Sequence, residues 1–117
     1  MKPEELRDLA INALDELKGM DIVSMDVRTL TSITDYMVIC TGRSSRHIDS
    51  LAENVSVRAK EKQAACVRTE GAKESEWMLV DLGDVVVHVM TASARTFYNL
   101  EDLWEPVKEL RDTQSSS

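Results

Sequence analysis

Two apolar runs joined through a single glycine constrain this chain more than any other stretch. Trp77 to Leu82 and Val85 to Met90 flank the dipeptide Gly83-Asp84. Glycine first in a two-residue loop suits a type II′ turn, because that position needs a positive φ that only glycine adopts cheaply. The turn then sets the pairing. Leu82 faces Val85, Val80 faces Val87 and Met78 faces Val89, all on one side of the sheet. This side is wholly apolar and should meet helices. The other side carries Asp81 with Val86, Leu79 with His88, and Trp77 with Met90. A plain solvent face would be polar, and a plain core face would lack the aspartate and the histidine. Either another element, such as the C-terminal part of the chain, covers this second face, or it is a docking surface with an aromatic anchor.

The remainder reads as helices alternating with strands. Leu6, Leu9, Ala10, Ala13, Leu14 and Leu17 recur at helical spacing. Pro3 suits the first turn of that helix and Gly19 its stop. Ile22 to Val27 is expected as a strand. Thr29 to Asp35 is a polar connection, with Asp35 at a strand entry. Tyr36 to Cys40 is short and continuously apolar, which predicts a central strand covered on both sides. Ser44 or Ser45 can cap a second helix whose buried stripe is Ile48, Leu51, Ala52, Val55 and Ala59. A strand is expected over Ala65 to Arg68, then a polar loop, the hairpin, and a short helix over Ser93 to Tyr98. Leu100 to Trp104 should pack back, and Pro106 can open a last helical turn. The resulting order, α-β-β-α-β-β-β-α, predicts an α/β domain with a mixed five-stranded sheet and helices packed on it. One domain should span residues 1–110, with residues 111–117 a polar, disordered tail.

Charge narrows the functional classes. The 117 residues carry a formal net charge of −7. Neutralising phosphates needs a basic surface, so specific nucleic-acid binding is not expected. No apolar stretch reaches membrane-spanning length, and the acidic start lacks a signal-peptide core. The expected location is the cytoplasm, where Cys40 and Cys66 would be reduced thiols in apolar surroundings. Gly42-Arg43-Ser44-Ser45 lies between a strand and a helix, where N–H groups can cradle phosphate. A nucleotidyl-transfer enzyme would also need clustered carboxylates to hold its metal ions. Asp49 stands alone in the following helix, so the serines read first as a cap. Asp84 has a structural reason in the turn. His47 and His88 fall on different elements and the cysteines lack ligand spacing, so no metal or other cofactor is expected.

Three blocks of sequence carry a family resemblance. Ser32-Ile33-Thr34-Asp35-Tyr36-Met37-Val38-Ile39-Cys40-Thr41-Gly42 is followed by Ser44-Ser45-Arg46-His47. Glu70-Gly71 and Trp77 precede Asp81-Leu82-Gly83-Asp84-Val85-Val86-Val87-His88-Val89-Met90. Arg95, Phe97-Tyr98, Leu100-Glu101 and Leu103-Trp104 close the set. In this order, over roughly residues 4 to 105, they resemble the ribosomal silencing factor (Iojap-like) family. The resemblance implies a fold similar to the nucleotidyltransferase superfold without its catalytic carboxylates. It implies a non-enzymatic protein that binds the fourteenth protein of the large ribosomal subunit and sterically blocks joining of the small subunit when nutrients fall. It also implies a homodimer in free solution. Trp77, Asp81 and His88 lie in the signature block and carry over as contacts. Leu79 and Met90 on the same sheet face, and Tyr98 in the closing block, complete the expected partner-binding set. The rival to this reading is a generic homodimeric module whose second sheet face is the dimer seam.

Overall fold

The structure is a computed structural model and describes residues 1–72 and 74–104. Its elements are α1 (Pro3–Glu16), β1 (Met20–Asp26), β2 (Tyr36–Gly42), α2 (Ser45–Glu61), β3 (Arg68–Glu70), β4 (Trp77–Asp81), β5 (Val85–Thr91), α3 (Ala92–Tyr98) and α4 (Leu100–Trp104). Five strands form one mixed sheet in the order β1-β2-β5-β4-β3. β2 and β5 run parallel, and every other neighbouring pair is antiparallel. The α/β class and the mixed five-stranded sheet are as the alternating pattern requires. The helical turn expected at Pro106 and the tail 111–117 lie outside the described residues.

Side-chain alternation along the strands builds two unequal layers. On one face Val38, Cys40, Val80, Val87 and Val89 pack against Leu6, Ala10 and Leu14 of α1 and Ile48, Leu51 and Val55 of α2. Fully burying a Val or Leu side chain is worth roughly 1.5–3 kcal/mol, so this layer carries most of the folding free energy. The opposite face holds a smaller cluster of Met25, Val27, Met37, Ile39 and Met90, roofed by Ala94 of α3, with Leu30, Trp77 and Leu100 packed at its margin. All seven residues of β2 are buried. A strand between two apolar layers has no wet face, which is why it reads as an uninterrupted apolar run. Gly42 ends β2 where α2 begins, and a Cβ there would sit 2.7 Å from Ile48 Cγ1. Only glycine lets the two elements approach that closely.

Three local departures from the sequence expectation have physical causes. β1 starts two residues early and carries one extra residue between Met20 and Val23 against β2, a bulge with Asp21 at φ 48°. β3 lies at Arg68–Glu70 rather than Ala65–Arg68, because it forms by pairing with Leu79–Asp81 at the sheet edge. Its three residues are all exposed, so no hydrophobic signal marks them. The hairpin turn is tighter than type II′. Gly83 takes φ +83° and Leu82 N–H donates to Val85 C=O at 2.8 Å across the two-residue loop, but Asp84 N–H also reaches Leu82 C=O at 3.1 Å, a three-residue ring inside it. The Asp84 carbonyl then accepts from the N–H groups of Asp35 and Tyr36, at 2.9 and 3.0 Å, fastening the turn to the start of β2.

Candidate functional site

The register read from the turn is the one observed: Trp77 with Met90, Met78 with Val89, Leu79 with His88, Val80 with Val87, and Asp81 with Val86. Met78 and Val80 are therefore buried under the helices, while Trp77, Leu79 and Asp81 on β4 and Val86 on β5 face the other way, half-buried. Among the described residues, Ala94 of α3 and Leu100 of α4 cover the Met90 end of this second face. What stays accessible is a patch of β4 and β5 bounded by the α3–α4 corner.

Trp77 is held from two sides. Its indole Nε1–H donates to His88 Nδ1 at 3.0 Å, and the Tyr98 ring lies 4.7 Å away, tilted by 47°. The indole N–H can only donate, so Nδ1 must be the unprotonated nitrogen of the imidazole. Burial pushes the His88 pKa down to about 4, since a charged ring would lose its hydration there. Phe97 stands edge-on to Tyr98, with centroids 5.0 Å apart. Asp81 is committed locally: Oδ1 accepts the Gly83 N–H at 2.8 Å, and Oδ2 meets Arg68 of β3 at 3.3 Å. Such a carboxylate secures the turn and presents a negative edge already shared with one exposed arginine.

The α3–α4 corner is anchored by Arg95. Its Nε bonds Glu101 at 2.7 Å, and Nη1 donates to the Asp21 carbonyl and to Thr41 Oγ1 at 2.7 and 2.8 Å. The β1 bulge is what aims the Asp21 carbonyl outward from the ladder. Helix α3 is capped by Thr91, whose hydroxyl accepts from Ala94 N–H, and ends at Asn99 in the left-handed conformation, φ 49°.

The sequence profile described as "Ribosomal silencing factor during starvation" matches residues 1–117. The chain belongs to the ribosomal silencing factor family. It is 45% identical over 104 residues to Ribosomal silencing factor RsfS of Chromobacterium violaceum, covering 89% of this chain and 85% of that one. It is 36% identical over 105 residues to the chloroplastic protein Iojap of Zea mays, covering 87% of this chain and 46% of that one. A crystal structure of a Chromobacterium violaceum protein superposes with a TM-score of 0.86 at 44% identity, over 89% of this chain and 87% of that one.

Within this silencing-factor fold the expected contact residues divide. Trp77, Leu79, Asp81 and Tyr98 share one accessible margin. Met90 does not belong to it: its side chain is wholly enclosed, because α3 crosses that end of the sheet. His88 is only 6% exposed and acts on Trp77 rather than reaching outward. Phe97, 80% exposed, carries no pattern signal, since a seven-residue helix is too short for periodicity to mark one of its two aromatic residues; only its place in the closing block marks it.

The groups weighed for other chemistries have local structural partners. Ser44 accepts the His47 N–H as a helix cap at 3.1 Å. His47 is itself a staple, taking the Arg43 N–H on Nδ1 at 2.9 Å and reaching the Leu17 carbonyl with Nε2 at 2.8 Å. Burial pushes the Cys40 thiol up to about 11, which leaves it inert at neutral pH. Among the described residues, no three His, Cys, Asp or Glu side chains come together as metal ligands, and no helix is long and apolar enough to cross a membrane.

Proposed function

We propose that the chain acts in the cytoplasm as a steric repressor of translation under nutrient limitation. It docks the Trp77 face of its sheet on a basic protein of the large ribosomal subunit, the fourteenth, and keeps the small subunit from joining. The observation that carries this reading is the half-buried indole of Trp77, held by His88 and Tyr98 on the one sheet face that the helices leave partly open. A rigid aromatic anchor beside apolar Leu79 and Val86 is the composition of a binding hot spot. A chain of net charge −7 gains on-rate and orientation on a basic protein and is repelled by bare RNA. Blocking needs occupancy and no bond chemistry, in keeping with the family's name.

Replacing Trp77 by alanine should leave the fold intact, because the indole lies at the margin of the smaller cluster, and weaken large-subunit binding by more than about 2 kcal/mol. Co-sedimentation with purified large subunits measures this; undiminished binding by the folded variant would remove the site. The same sedimentation runs without subunits report the proposed homodimer as a species of twice the monomer mass.

A further inference from the structure

The docking face continues onto the α3–α4 corner as a run of exposed aromatic rings. Phe97 is 80% and Tyr98 52% exposed. Their planes meet at 85°, and Tyr98 touches Trp77, so three rings lead outward from the half-buried anchor. Negative charge flanks them. Glu76, next to Trp77, accepts from the Thr91 and Ser93 hydroxyls at 3.2 and 3.3 Å. Asp102 accepts from the Asn99 side-chain amide at 2.7 Å. Hydroxyl and amide donors hold these carboxylates in place without cancelling their charge. Among the described residues, the cation of this corner, Arg95, is turned inward onto Glu101, Asp21 and Thr41.

Ring faces beside carboxylates that pair with no cation among the described residues attract a cation. The π face is negative, and a cation within about 6 Å of its centre is held, most strongly where water is excluded. A guanidinium adds flat stacking on the ring. The fold already uses this chemistry elsewhere: Arg7 and Arg28 lie 4.8 and 5.3 Å from the centre of the Tyr36 ring. An apolar anchor from a partner would instead call for a pocket, and a ring 80% exposed lies in none.

We infer that the Phe97–Tyr98 corner receives a cationic side chain of the docking partner, a guanidinium or an ammonium, on its ring faces. This rests on the docking reading above and names the group recognised there. Trp77 supplies buried area at the centre, and the corner reads charge at the rim.

The test uses the full chain and purified large subunits, with Phe97→Ala and Phe97→Leu. Both rings lie outside the core, so both variants should melt like the parent. Leucine keeps the apolar bulk and removes the π face. Both variants should bind about fivefold more weakly, the scale of a partly desolvated cation–π contact. Glu76→Gln should weaken binding too, and reduce its dependence on salt. If Phe97→Leu binds like the parent while Phe97→Ala does not, the contact is merely apolar and the inference is overturned. If both bind like the parent, it is overturned while the docking reading stands, and a change confined to self-association would assign the corner to a second copy of the chain. If the parent chain itself does not bind large subunits, the docking reading fails and this inference with it.

Discussion

His88 and Trp77 form one unit, and the pH dependence of stability should reveal it. The folded chain keeps His88 neutral down to about pH 4, whereas an unfolded chain protonates a histidine near pH 6.5. Between those values only the unfolded state takes up the proton, so stability falls as pH falls. The loss should reach roughly 2 kcal/mol by pH 5, a large part of the ~5–15 kcal/mol that holds a domain together. In His88→Gln that slope should shrink, whatever the variant's stability at pH 8; equal slopes in denaturant melts at pH 8 and pH 5 would place the imidazole in contact with water. The pairing of Leu79 with His88 and of Trp77 with Met90 was legible in the sequence, because the glycine turn sets the register. Which of these residues reach the surface was not. Met90 and His88 share a face with Trp77, yet α3 roofs one and the indole occupies the other, and neither event leaves a mark in the strand pattern.

Among the elements, the α3–α4 corner decides what the proposed docking face offers. α3 contributes one buried residue, Ala94, so packing alone holds it weakly. Arg95 compensates by bridging α4, the β1 bulge and β2. Bonds to a charged group contribute about 1.5–3 kcal/mol, and removing the guanidinium strands the carbonyl and carboxylate it serves. Arg95→Ala should therefore cost about 2 kcal/mol, and amide exchange in 92–104 should accelerate before that of β2 and β5. Uniform exchange across the chain would show that the corner is held by other means. Helices and central strands were legible here because their burial is periodic or complete: α2 shows its stripe, and β2 is apolar throughout. The edge was not, since β3 exists through backbone pairing alone. The turn was legible in its need for a glycine and in its Leu82–Val85 pairing, but not in its tether, the N–H groups of Asp35 and Tyr36 that bind the Asp84 carbonyl from a distant part of the chain.

At the scale of the whole molecule, the two sheet faces divide the labour. The α1–α2 face stabilises the fold with a deep aliphatic layer, and this frees the opposite face to keep an indole and two further rings at its margin. A net charge of −7 opposes self-association through the exposed Phe97 ring. In the proposed docking, the same charge favours a basic partner at the aromatic margin. The chain belongs to the ribosomal silencing factor family and shares the fold of its solved relatives. The claim that binds these scales together is that occupancy of the large subunit through Trp77 prevents subunit joining. Light scattering of purified large and small subunits, mixed with the chain or with its Trp77→Ala variant, tests it most directly. The account predicts that the parent chain suppresses the rise in scattering on joining and that the folded variant does not. Joining at the full rate with saturating parent chain, or equal suppression by the variant, would contradict it.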